Sequence, residues 1–202
     1  MALLDRFRGP APAPPSQVEP RPAITIHSVT DTSLPQVEPD SPITVHVIED
    51  TNTFEGHDGE IIWGGGYAPV DEDGLFLYEA DHETSDPRAF YCKIAGAQHR
   101  PKALADKRRF AVGSRIVLRP EPDNPYDPNA VGIWDASGEV QVGYVPATLS
   151  AEVAALMRSG KTLGGQVIRE FRLGSSRGKR LALHVILSPL GPGRYVFHDE
   201  SE

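Results

Sequence analysis

The residues best suited to chemistry are Tyr126 and Asp127, side by side in the run Glu121-Pro122-Asp123-Asn124-Pro125-Tyr126-Asp127-Pro128-Asn129-Ala130-Val131. Proline, asparagine and aspartate belong in such a run because they pre-set φ or hydrogen-bond the backbone locally. Turn formation gives no reason for an aromatic ring there. A ring beside a carboxylate on a rigid loop can meet a base and a sugar hydroxyl together, since aromatic rings are stacking platforms for bases. A second tyrosine, Tyr144, lies in Val142-Gly143-Tyr144-Val145-Pro146, at the end of the next β-rich run. The residues alone also allow a plainer reading, in which Asp127 caps the turn backbone and Tyr126 packs beneath the loop.

The elements that must hold this turn are short strands. Candidates are 89–97, 115–119, 130–135, 139–145, 165–172 and 180–188. Several short strands with turn signals between them favour a sandwich or barrel over a parallel sheet. One helix interrupts them: Leu149, Val153 and Leu156 recur at i, i+4 and i+7, and Gly160 sits where a helix stops. Residues 173–179, between the last two strands, read as a flexible basic hairpin loop. Residues 90–190 therefore read as one compact, barrel-like unit. Basic residues crowd it, with Arg100, Lys102, Lys107, Arg108, Arg109, Arg115 and Arg119 around the turn and Arg177, Lys179 and Arg180 at the hairpin loop. Basic groups beside aromatic platforms are what single-strand binding needs, although a solvated basic face looks the same in sequence.

Over residues 90–190 the chain resembles the HIRAN domain, a small module found alone in bacteria and attached to DNA-repair helicases in eukaryotes. The resemblance rests on Gly96, Leu118-Arg119-Pro120-Glu121-Pro122, Asn124-Pro125-Tyr126-Asp127, Ala130-Val131 and Gly143-Tyr144-Val145-Pro146, in that order. It implies a mainly β fold, an OB-like small β-barrel with one or two short helices. It also implies a non-catalytic module that binds single-stranded DNA or DNA ends in repair or processing, because the helicase-attached members bind the free 3′ end. Tyr126 would then stack on the terminal base, and Asp127 would accept a hydrogen bond from the 3′-hydroxyl. Those members place an arginine and an aromatic residue after the glycine, where this chain has Gln98 and His99, with Arg100 one step later. Tyr144 stands where they carry a histidine. The interface implied here comprises Asn124, Tyr126, Asp127, Gln98, His99, Arg100, Tyr144, Lys102 and Arg119.

The rest of the chain reads as appendages. Nine of the first fifty residues are proline, and a motif repeats with a spacing of 19. Gln17-Val18-Glu19-Pro20 recurs as Gln36-Val37-Glu38-Pro39, and Ile24-Thr25-Ile26-His27 as Ile43-Thr44-Val45-His46. Residues 1–53 are thus expected to be a Pro-rich, internally repeated, flexible acidic arm, with strand addition to a partner's sheet as the alternative. Residues 54–89 suggest a hairpin-like extension in which Ile61-Ile62-Trp63 and residues 75–78 flank Gly64-Gly65-Gly66. That triple glycine lacks the Gly-Lys-Ser/Thr ending of a phosphate loop. Residues 191–202 read as a loose acidic tail.

The net charge of −8 hides a split. Residues 1–90 carry four basic and seventeen acidic groups, whereas residues 91–190 carry fifteen basic and eight acidic ones. An acidic front and a basic back suggest a nucleic-acid partner. The arm also leaves room for a protein partner, which makes a protein adaptor the alternative function. A metal-dependent nuclease using Glu121, Asp123, Asp127 and Asp135 is the weaker third reading, since turn chemistry explains those acids. No cofactor is expected, and the seven histidines show no metal-ligand spacing. A single cysteine, Cys92, fits a reducing compartment, and no apolar run approaches the roughly 20 residues a membrane span needs. A cytoplasmic location is the expectation.

Overall fold

In a computed structural model, residues 44–56, 58–71, 88–189 and 194–197 are described. Their strands are β1 (Thr44–Glu49), β2 (Asn52–Glu55), β3 (Ile61–Val70), β4 (Phe90–Lys93), β5 (Arg115–Pro120), β6 (Val131–Asp135), β7 (Gln141–Tyr144), β8 (Gly164–Leu173), β9 (Arg180–Ser188) and β10 (Arg194–Phe197). A 3-10 turn (Ala97–His99) and helix α1 (Pro101–Ala105) follow β4, and helix α2 (Ala147–Arg158) follows β7. The fold is mainly β, and the barrel-like reading of residues 90–190 holds.

β4, β9, β8, β5, β6 and β7 pair in that order, each antiparallel to its neighbour. The sheet curls until Ala95, just past β4, meets Tyr144 at the end of β7. The two residues exchange both backbone hydrogen bonds, each 2.9 Å. Inside lies a core that includes Phe110, Ile133, Leu183 and Leu187, with Cys92 packed among them and Leu149 and Val153 of α2 closing it. β6 shows how the sequence builds this layer. Val131 and Ile133 are fully buried, while Gly132 and Trp134 take the opposite face, as a period of two requires.

The appendages differ from their sequence reading. Residues 44–49, assigned to the extended arm, form β1, which pairs with β3. Val45 and Val47 bury against Ala89, Tyr91, Ile168 and Ile186, so the described part of the second copy, from Thr44 on, is structural sheet. The first copy lies outside the described residues. β3 runs straight through Gly64-Gly65-Gly66, and its hairpin partner is β2. Residues 75–78 lie outside the described residues. The tail contributes β10, which pairs in parallel with β1.

The glycine run stays extended because β8 lies against it. A Cβ on Gly64 would meet Arg169 Nη2 and Phe171 Cε1, both at 3.1 Å. Arg169 is buried here, pairs with Asp50, and donates to Asn52 Oδ1 at 3.2 Å. Phe171 in turn packs on His184 at 4.8 Å between ring centres.

No helix among the described residues is long and apolar enough to cross a membrane.

Candidate nucleic-acid interface

The loop between β5 and β6 is tied at its base by Glu121 N–H donating to the Ala130 carbonyl at 2.8 Å. Within it, two side chains fold the backbone. Asn124 Oδ1 accepts from Tyr126 N–H at 3.0 Å, and Asp127 Oδ1 accepts from Asn129 N–H at 2.8 Å. Both are local side-chain turns of the kind asparagine and aspartate favour. Asp127 Oδ2 also accepts the Ser150 hydroxyl at 3.0 Å, which anchors the loop to α2. Asp127 therefore does cap the turn. Tyr126 does not pack beneath it: its side chain stands 95% exposed between the two caps. A large ring held that far into water by a braced loop is a platform without a cover.

Beside the loop, Glu121 ties its own loop to β7. Its Oε2 accepts from Asn124 Nδ2 at 3.2 Å and from the Tyr144 hydroxyl at 3.1 Å, and its Oε1 accepts from Gln141 Nε2 at 3.0 Å. Arg100 completes the cluster. Its Nη2 donates to Gln141 Oε1 at 2.7 Å and to the Tyr144 hydroxyl at 3.2 Å, and its guanidinium lies 4.9 Å from the centre of the Tyr144 ring. Gly132 makes this convergence possible. A Cβ there would stand 2.7 Å from Gln141 Nε2 and 2.8 Å from both Glu121 Oε1 and Trp134 Nε1. The Trp134 indole N–H is buried beside this cluster and has no hydrogen-bond partner among the described residues. An unpaired buried donor of that sort costs about 1–3 kcal/mol.

Of the nine residues singled out in the sequence, Asn124 and Tyr144 meet at Glu121, Arg100 joins them through Gln141 and Tyr144, and Tyr126 and Asp127 sit on the same loop as Glu121. Gln98 and His99 are exposed on the 3-10 turn, with Nε2 atoms 3.3 Å apart. Lys102 is exposed on α1. Arg119 is exposed on β5, with its guanidinium 4.8 Å from the Trp134 ring, outside the Glu121 cluster. Gln141, Trp134 and Ser150 escaped the sequence reading, and Glu121, a residue of the family signature, was not placed in the interface. The outward alternation of Gly132 and Trp134 on β6 is the one sequence signal that points toward them.

Glu121, Asp127 and Asp135 are each engaged by different partners, Asp123 is exposed, and among the described residues no three acids, histidines or cysteines cluster as a metal site. Asp135 ends β6, and its side chain caps the turn to β7. Burial alone would raise its pKa. The Val140 N–H, the Arg109 guanidinium, the Ser137 hydroxyl and the Glu139 N–H outweigh that and bring it down to about 2.

The HIRAN domain family model matches residues 87–186. None of the curated proteins compared with the chain matches it. Among solved structures, a crystal structure of a protein from Lactobacillus plantarum is similar at 24% identity, covering 48% of this chain and 91% of that one, with a TM-score of 0.39. The crystal structure of the HIRAN domain of human HLTF is similar at 21% identity over 50% of this chain and 75% of that one, with a TM-score of 0.33. The NMR structure of the same domain shares 22% identity over 49% and 73%, with a TM-score of 0.35. The matched residues run from β4 into β9 and include the braced loop, the Glu121 cluster and the seam at Tyr144; through residues 87–186 this chain belongs to the HIRAN domain family.

Proposed function

We propose that this HIRAN domain is a binding module for single-stranded DNA that reads its 3′ end. The observation that carries the reading is Tyr126, fully presented to solvent on a loop braced at both Asn124 and Asp127. A base stacks on that ring. Arg100, oriented by Gln141 and Tyr144, faces the phosphate side, with Gln98, His99, Lys102 and Arg119 supplying further polar and cationic contacts. Asp127 accepts one hydrogen bond on each oxygen already, and an ionised carboxylate offers about four acceptor sites. Capacity for a terminal hydroxyl remains, and a terminal phosphate would be repelled. Capping the turn and reading the end are compatible tasks for one side chain.

Fluorescence anisotropy of a short single strand with the full chain tests this. Tyr126→Ala should weaken binding by about tenfold, within the roughly 1–3 kcal/mol that one base–aromatic stack supplies. A strand ending in a 3′-phosphate should bind more weakly than its 3′-hydroxyl counterpart, and Asp127→Asn should narrow that gap. Equal affinity for both strand ends would remove the end-reading claim and leave single-strand binding. Undiminished binding by Tyr126→Ala would remove the stacking claim itself.

A further inference from the structure

Gln98 also borders a cavity of about 340 Å³ between α1 and the β8–β9 hairpin. Lys107, Arg172, Arg177, Lys179 and Arg180 line it as well, so five cationic residues border one space, and no acidic residue among the described ones lines it. Two of them are buried, the Arg172 and Arg180 side chains being only 3% and 2% exposed. Each is locked in place. Arg172 donates from Nε and Nη2 to the two Glu170 oxygens at 2.7 and 2.6 Å, and from Nη1 to the Gly178 carbonyl at 3.2 Å. Arg180 pairs with Glu170 at 2.5 Å and donates to the Leu104 carbonyl at 3.2 Å. Glu170 is a single carboxylate serving two guanidiniums, and Arg180 Nε is buried without a partner among the described residues.

The hairpin loop is not the slack tether its glycines and serines suggest. Leu173 N–H donates to the Lys179 carbonyl at 2.9 Å, Gly178 N–H to the Ser175 carbonyl at 2.8 Å, and Gly174 N–H to the Ile61 carbonyl of β3 at 2.7 Å. Arg177 and Lys179 are thereby carried on a fixed frame. Holding like charges this close opposes folding through mutual repulsion. A bound polyanion relieves that repulsion, and pre-set guanidiniums lose little entropy on meeting phosphate oxygens.

We propose that this cavity is a phosphate site, and that it seats a backbone phosphodiester of the strand whose end lies at Tyr126. The link is the 3-10 turn, which gives Gln98 to the cavity and, two residues on, Arg100 to the Glu121 cluster. The phosphodiester assignment rests on the single-strand reading above; the phosphate chemistry of the cavity does not.

The test uses the full chain and Arg177→Ala/Lys179→Ala, two exposed loop positions whose loss spares the buried arginines. Loss of that one phosphate contact should flatten the log Kd against log salt plot by about 0.7, the value per phosphate neutralised on single strands. Strands carrying one neutral methylphosphonate at successive linkages should locate a single linkage that weakens wild-type binding several-fold and leaves the double variant indifferent. An unchanged salt slope and unchanged linkage sensitivity, with wild-type binding intact, would overturn the cavity assignment while sparing strand binding. A parallel NMR titration with pyrophosphate separates the two readings. Shifts of the Gln98 and Lys179 amides in a wild type that binds no strand would uphold the phosphate site and end the single-strand reading. No shift and no strand binding would end both.

Discussion

Gly66→Ala should lower the melting temperature by roughly 6–12 °C. Gly66 sits in the middle of β3 with φ at 129, a conformation open to glycine alone, and a Cβ there would stand 2.3 Å from the Ile168 carbonyl oxygen and 2.9 Å from Arg169 Cα. Both obstacles are backbone of the paired strand β8, so no side chain can swing aside. Gly66 is also where β3 changes partners: Ile62–Gly66 pair with β8, and Tyr67–Val70 pair with β1. Its carbonyl accepts the Asp50 N–H at 2.9 Å, next to the Asp50–Arg169 ion pair. Backbone strain and overpacking of this kind cost about 3 kcal/mol together, and a kcal/mol is worth about 2–4 °C in a chain this long. Gly174→Ala is the control, because Gly174 has φ at 72 with nothing within 4 Å. Differential scanning calorimetry should show a clearly smaller loss there. Equal losses at both positions would mean that the close approach of β8 contributes nothing.

Acidification should destabilise the fold from about pH 6.5 downward. His184 lies between the Tyr91 and Phe171 rings, with Nδ1 2.5 Å from the Tyr91 hydroxyl. Burial first, and then the charges of Lys93 and Arg169, push its pKa down to about 3 from the ordinary 6.5. Between those values the unfolded chain holds a proton that the folded chain refuses. Stability therefore falls as pH falls, by up to about 1.4 kcal/mol per pH unit, beginning near 6.5 and levelling off near 3. Asp135, with its pKa lowered from 3.8 to about 2, adds a separate loss only below about pH 4. Urea denaturation between pH 6.5 and 4.5 isolates the histidine. His184→Gln should flatten the pH dependence in that window, and an unchanged slope would place the acid sensitivity elsewhere.

The barrel was legible in the sequence because its signals are local. Strands predicted at 115–119 and 180–188 appear as β5 and β9 within a residue, and the i, i+4, i+7 pattern of Leu149, Val153 and Leu156 marks α2. The two turn caps at Asn124 and Asp127 are equally local, since each bonds an amide two residues on. What escaped depends on distant partners. β1 looks like part of a proline-rich arm until Ile168 and Ile186 cover its valines. Three consecutive glycines read as a turn unless a neighbouring strand is known to press against them. Glu121 looks like a turn acid because Gln141 and Tyr144 are 20 and 23 residues away. The hairpin loop likewise reads as slack because its tether to Ile61 spans more than a hundred residues of chain.

Tyr144 does two jobs at once: its backbone zips the sheet to Ala95, and its hydroxyl and ring hold Glu121 and Arg100. Opening the zipper therefore dismantles the recognition surface, and occupying the surface holds the zipper shut. The Ala95 and Tyr144 amides become a built-in gauge of occupancy. If a strand binds the closed form alone, their hydrogen exchange slows by the factor 1 + [L]/Kd, about a hundredfold at a hundred times Kd.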